Sequence, residues 1–306
     1  MGIITNRSVI ARVIIKSNSQ IFVAVLRFIQ GKYEINIYTI RVEYPFMINS
    51  ILVAPHGDEI LVPESEPMIA LREAMIKARD IVGNAETYIV VSPHNVRIDT
   101  HIGIILTEYM EGSWRYKKLR FRRKFKNDRN LAKRIYETAN TQGIPVVGIN
   151  FGALEGPLSK MSLDWGTLIP LYFLPRRNIV LITPARGISR HSLVRFGEIM
   201  GKIADEEKRK ISVIISADHA HTHSPDGPYG FSEMAEEYDS TVVRSLKSGK
   251  LEKLLDMPQE VIDSALPDSY WQLLMLYGIM KIKHLKPEFV VYGMADYFGM
   301  AVSLFR

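Results

Sequence analysis

The sequence predicts an α/β protein: a single domain at 48–306, with a central, mainly parallel or mixed sheet flanked by helices, preceded by an N-terminal β appendage at 1–47. Three observations carry this expectation. From Ile51 onward, short β-branched runs alternate with helical segments, the pattern of stacked βαβ units. Three of the runs, SILVAPH, TYIVVSPH and ISVIISADHAH, are almost continuously apolar, as strands buried on both faces are. Each leads into a histidine (His56, His94 and His221), and open sheets bind ligands outside the carboxyl ends of their strands.

The elements follow in order. Residues 7–45 alternate with period two and break at Asn18 and at Gln30–Gly31, which predicts a small antiparallel unit that covers a sheet edge or makes a subunit contact. PESEPMIALREAMIKARDIVGN places Ser65 at an N-cap, Pro67 in the first turn and Gly83 at the stop. NDRNLAKRIYETANTQGIPVVGI predicts a helix ended by Gly143 and a strand from Ile144. NIVLITPAR reads as a strand, and SRHSLVRFGEIMGKIADEEKRK as the helix leading to the third histidine run. MPQEVIDSALPDSYWQLLMLYGIMKI is helical with a break at Pro267, and EFVVYGMADYFGMAVSLF gives two strands about a turn.

Composition bounds the chemistry. With 306 residues, 47% of them hydrophobic, the chain can bury a large core. Cys 0 excludes disulfides and cysteine nucleophiles and restricts a metal to nitrogen and oxygen ligands. The +6 charge favours anionic small molecules without proving them. The first residues lack a secretory h-region, Asn6 spoils a myristoylation match, and no run reaches membrane-spanning length, so a cytoplasmic protein without membrane contact is expected. Sparse Gln and absent Cys point to a thermophilic source.

Asp218, His219, His221 and His223 crowd SADHAHTHSPDGPYG, and FSEMAEEYD follows with Glu233, Glu236, Glu237 and Asp239. Two imidazoles and one carboxylate form the facial site of non-haem Fe(II) oxygenases, although first-turn acids are commonly there for the helix dipole alone. The basic, aromatic stretch Trp114–Arg129 fits a nucleic-acid surface or an exposed β-ribbon. The ribbon is preferred because no nucleic-acid module surrounds it. The His-x-His-x-His string also suits zinc and an activated water, as in a metal-dependent hydrolase.

In order, APHGDEIL, YIVVSPHN, LDWGTLIPLYFL, SADHAH, PYGFSEMAEEYD and YFGMAVSLF resemble the motif series of class III extradiol ring-cleavage dioxygenases. More narrowly, the chain is similar to the catalytic-subunit superfamily of protocatechuate 4,5-dioxygenase, which includes the Memo-like proteins. The resemblance implies Fe(II), with Mn or Zn as alternatives, bound by His56, His94 and Glu237, with the adjacent Glu236 as the competing carboxylate. It implies His221 as the acid–base residue; Trp165, His219, His223 and Tyr229 are candidate substrate contacts read from the chain itself, with core packing as the alternative for Trp165. The implied reaction opens a catechol with O2 to a semialdehyde acid. A homo-oligomer and a small partner subunit are expected, and a Memo-like binding protein without turnover is the alternative. Where many relatives have Asp-His-Gly, this chain has Asp164, Trp165 and Gly166, so one histidine is missing.

Overall fold

Period-two alternation at the start of the chain becomes three strands in the computed structural model, which describes residues 9–17, 20–29, 32–41 and 48–306. These strands, β1 (Val9–Ser17), β2 (Gln20–Ile29) and β3 (Lys32–Arg41), pair antiparallel in that order. The breaks expected at Asn18 and Gln30–Gly31 lie outside the described residues. The chain divides into two units, Met1–Phe46 and Met47–Arg306.

In the larger unit, β4 (Ile48–Ala54) is followed by α1 (Glu66–Val82) and β5 (Thr87–Val91). Ser65 precedes α1, but its side chain makes no capping bond, and Pro in the first turn, with its fixed φ, supports the start instead. After β6 (Ile102–Ile105) come β7 (Tyr109–Tyr116) and β8 (Leu119–Lys126), an antiparallel hairpin. This is the ribbon: Met110 and Phe125 are buried in the core, while Arg120, Arg122, Lys124 and Lys126 face solvent.

Asp128 caps α2 (Arg129–Thr141) by accepting from the Leu131 N–H, and Gly143 turns the chain at φ 73°. Then come β9 (Val146–Ile149), β10 (Lys160–Ser162), α3 (Trp165–Tyr172), β11 (Asn178–Thr183), α4 (Arg190–Glu206) and β12 (Ile211–Ser216). The last third holds α5 (Met234–Ser248), α6 (Gln259–Ala265), α7 (Tyr270–Ile282), β13 (Pro287–Ala295) and β14 (Phe298–Phe305). Thus Pro267 does break the late helical run, in the loop between α6 and α7. Among the described residues, no helix is long and apolar enough to cross a membrane.

The large sheet has eight strands in the order β13-β14-β4-β12-β5-β11-β6-β9. Its centre, β4-β12-β5-β11, is parallel; β13, β14 and β6 add antiparallel pairings, so the sheet is mixed and flanked by seven α-helices among the described residues. Alternation sends Ile51 and Val213 to a layer with Phe196 and Leu274, and Leu52 and Ile214 to the opposite layer with Leu71 and Leu168. Both faces of the central strands are covered, which explains their continuous apolar character.

Helices α4 and α7 approach through glycines. A Cβ at Gly278 would lie 2.0 Å from the Val194 carbonyl oxygen, and one at Gly197 would lie 2.0 Å from that of Met275. Gly278→Ala should therefore destabilise the fold by about 1–3 kcal/mol, as overpacking does, measured by guanidinium denaturation. An unchanged midpoint would show that α7 can shift freely.

Candidate metal centre at the strand ends

Three adjacent parallel strands deliver the first side chains. His56 follows β4, His94 follows β5, and Asp218 follows β12, which lies between them. The α6–α7 loop then brings Asp268 over the strand ends. Nε2 of His56 and Nε2 of His94 lie 2.9 Å apart, and each is 3.0 Å from Asp268 Oδ2. Asp268 Oδ1 accepts from the Asp218 N–H at 3.1 Å, and Asp218 Oδ1 accepts from the His56 N–H at 2.9 Å.

The imidazole of His56 is oriented from behind. Ser216 Oγ donates to the Gly166 carbonyl and therefore accepts from His56 Nδ1 at 2.8 Å, which leaves Nε2 facing the cluster. His94 is set by the Asp164-Trp165-Gly166 turn. Asp164 accepts from the Thr167 N–H at the start of α3, from Ser92 Oγ at 2.6 Å and from Asn95 Nδ2 at 3.0 Å. Trp165 stacks on His94 with ring centres 4.2 Å apart. A Cβ at Gly166 would meet Ser92 Oγ at 2.6 Å and His94 Cδ2 at 3.1 Å, so only glycine permits this approach.

Electrostatics in the cluster favour a cation. Burial works against charge on His56, but Asp218 and Asp268 more than offset it and raise its pKa to about 9. Burial pushes Asp218 up to about 6, opposed by His56. Burial alone would also raise Asp268, yet the His56 charge and hydrogen bonds from both imidazoles hold it well below the usual carboxylate range. Two imidazole nitrogens and a carboxylate oxygen, within 4.8 Å of one another, fit a metal ion, which would replace the proton as the resident cation.

The crevice has two lobes that share His94, His221, Tyr229 and Asp268: one of about 240 Å³, containing Trp114 and Trp165, and one of about 380 Å³. His221 Nδ1 lies 3.1 Å from the Leu266 carbonyl and donates to it; the His221 ring stacks on Phe298, with ring planes 8° apart. Leu266 is in the left-handed region at φ 48°, an uncommon conformation for a bulky side chain.

The structure thus brings His56, His94, His221, Trp165 and Tyr229 together. It does not bring Glu237. Both Glu236 and Glu237 are exposed on α5, and the carboxylate in the cluster is Asp268. The acid that α5 sends inward is Asp239, which accepts from the Ala220 N–H, His223 Nε2 and Tyr292 Oη. His223 is therefore an anchor of its own loop. His219 is fully buried, its Nδ1 3.0 Å from Ser269 Oγ, and burial lowers its pKa; it holds the start of α7 and lines neither lobe. Asp268 carried one local signal in the sequence: an acid after a proline, immediately before an apolar helix.

An open α/β sheet with a His-His-Asp cluster and a flanking histidine at its strand ends makes a candidate metal centre. The model for the catalytic LigB subunit of aromatic ring-opening dioxygenase matches residues 66–302, and the chain belongs to this family. It is 28% identical over 257 residues to Protein CA_C1420 of Clostridium acetobutylicum, covering 80% of this chain and 54% of that protein. The chain thus spans about half the length of that curated relative. It also resembles the crystal structure of the uncharacterized protein JW3007 from Escherichia coli K12, with TM-score 0.54 and 18% identity, covering 83% of this chain and 98% of that one. That likeness concerns the fold.

Asp268→Asn should lose bound metal, whereas Glu237→Gln should keep the wild-type stoichiometry, read by elemental analysis after purification; the reverse pattern would restore Glu237 as the ligand. Because metal must displace the His56 proton, affinity should rise with pH up to about 9. Calorimetry of metal binding in buffers of different ionisation heat near neutral pH should show release of about one proton.

Proposed function

We propose that the protein is an extradiol dioxygenase that opens a catechol, with His56, His94 and Asp268 as ligands of a divalent iron. The convergence of these three donors beside His221 is the observation that carries the reading. Iron bound there would supply a centre that chelates both catechol oxygens and transfers electrons to O2. The overall reaction is balanced without another reductant: one ring C–C bond breaks and both oxygen atoms enter the product, a semialdehyde acid.

The remaining roles belong to the chain. His221 donates Nδ1–H to the Leu266 carbonyl, which leaves Nε2 to take a proton from a catechol hydroxyl and return it as the ring opens. Trp165, fixed against His94, and Phe298, fixed against His221, give the ring flat apolar walls and limit water at the reacting centre. Trp165 stands where the resemblance expects a histidine, which makes the chain depend on His221 for proton transfer. A hydrolase with two metals needs more ligands than this single cluster among the described residues provides.

O2 uptake by iron-loaded protein with a panel of catechols tests the proposal. Stoichiometric uptake with appearance of a yellow semialdehyde is expected; tight catechol binding without uptake would instead support the Memo-like reading. His221→Ala should retain iron but lower kcat by about 10²–10⁴-fold, the usual contribution of a general acid–base. Wild-type turnover in that variant would remove His221 from the mechanism.

A further inference from the structure

The basic stretch that the metal centre does not use forms the hairpin of the three-stranded sheet β10-β7-β8. Alternation turns Met110, Trp114, Phe121 and Phe125 towards the core and leaves Arg115, Arg120, Arg122, Lys124 and Lys126 exposed on the other face. The last four occupy every second position of β8, a row about 20 Å long with its members about 7 Å apart. One acid of the hairpin, Glu111, shares this face, and it is taken by Lys160 at 2.6 Å and Arg122 at 3.2 Å. At the turn, Lys117 is paired with Glu64. Among the described residues, the side chains of Arg115, Arg120 and Lys126 make no hydrogen bond or ion pair, and Lys124 sits over the Tyr109 ring.

Charges on an edge strand ordinarily guard it against pairing with another chain. That role does not account for Arg115. It lies on β7, the middle strand, directly opposite Arg120, where like charges destabilise a sheet. Both arginines line a groove of about 520 Å³, whose other walls are Ser113, Trp114, Phe121 and Arg122, with no acid among them. We propose that this face of the hairpin docks single-stranded nucleic acid, with its cations on successive phosphates and with ring surface from Trp114 and Phe121 beside them. A straight row of evenly spaced cations complements a linear polyanion, and arginines next to aromatic rings suit unpaired bases, which stack on both. A duplex fits less well, because a ribbon enters its major groove only with both faces free, and the inner face of this ribbon is packed on the core. Contacts to phosphates make the binding tolerant of sequence and sensitive to salt. The surface goes beyond the dioxygenase reading and does not depend on it.

Fluorescence anisotropy of labelled oligouridylate and oligodeoxythymidylate, titrated with the full-length protein between about 50 and 200 mM salt, provides the test. Both should bind, with log K falling against log salt at a slope of about −3, roughly 0.7 for each of four phosphates. Arg115→Gln with Arg120→Gln should weaken both ligands alike and reduce the slope by about 1.4, while the melting temperature stays at or above wild type because the like-charge opposition is gone. Arg115→Lys with Arg120→Lys should keep the slope. Lys247→Gln with Lys253→Gln, the same change of charge at exposed positions elsewhere, should leave binding unchanged, as should chelation of metal. No binding at low salt, a slope indifferent to the arginine pair, or an equal loss in the Lys247 and Lys253 variant would overturn the proposal. So would tighter binding to phosphatidylglycerol vesicles or to inorganic polyphosphate than to the oligonucleotides; the first would make the face a lipid-binding surface, the second a site for phosphate chains without bases.

Discussion

Asp268 ties the two halves of the site together. One of its oxygens accepts from both imidazoles and the other from the backbone of Asp218, so a single carboxylate from a loop between two helices fixes the ends of β4, β5 and β12 against one another. Removing it would leave the buried His56 and the partly exposed His94 without their shared acceptor, and the α6–α7 loop without its attachment to the sheet. The close seating of α7 on α4 through Gly197 and Gly278 matters for the same reason, because α7 begins immediately after this loop. Placement of the candidate ligands is thus coupled to helix packing well away from the crevice.

Much of this was legible in the sequence where the signal is local. The strands ending at His56 and His94 could be read because burial on both faces leaves an unbroken apolar run, and the turn that follows a parallel strand carries function. Asp268 was not legible, since its partners His56 and His94 lie 212 and 174 residues away and its own neighbourhood resembles an ordinary helix start. Glu237 attracted attention because it lies in the EEYD segment, but an acid in a first helical turn is sufficiently explained by the dipole. Asp239, two residues later, is the buried member of that motif, and it organises the backbone around Ala220 and His223 instead of holding a metal.

The Asp164-Trp165-Gly166 turn divides its work between scaffold and site. Asp164 still caps α3 and braces Ser92, and Gly166 still allows His94 to pass and accepts from Ser216. The central residue, tryptophan, gives the crevice a ring surface stacked on a candidate ligand. The two lobes of the crevice meet at His94, His221, Tyr229 and Asp268; the smaller adds Asp58, Glu59 and Asp218, and the larger adds Arg97, Arg186 and Asp263.

The central claim is that the strand-end cluster is a three-ligand metal centre completed by Asp268. Anomalous diffraction from crystals loaded anaerobically with Fe(II) addresses it most directly. The account predicts one strong peak bonded to Nε2 of His56, Nε2 of His94 and the Asp268 carboxylate, with the remaining positions open to the crevice. A peak bonded to Glu237 or Glu236, or no ordered metal between the two imidazoles, would contradict it.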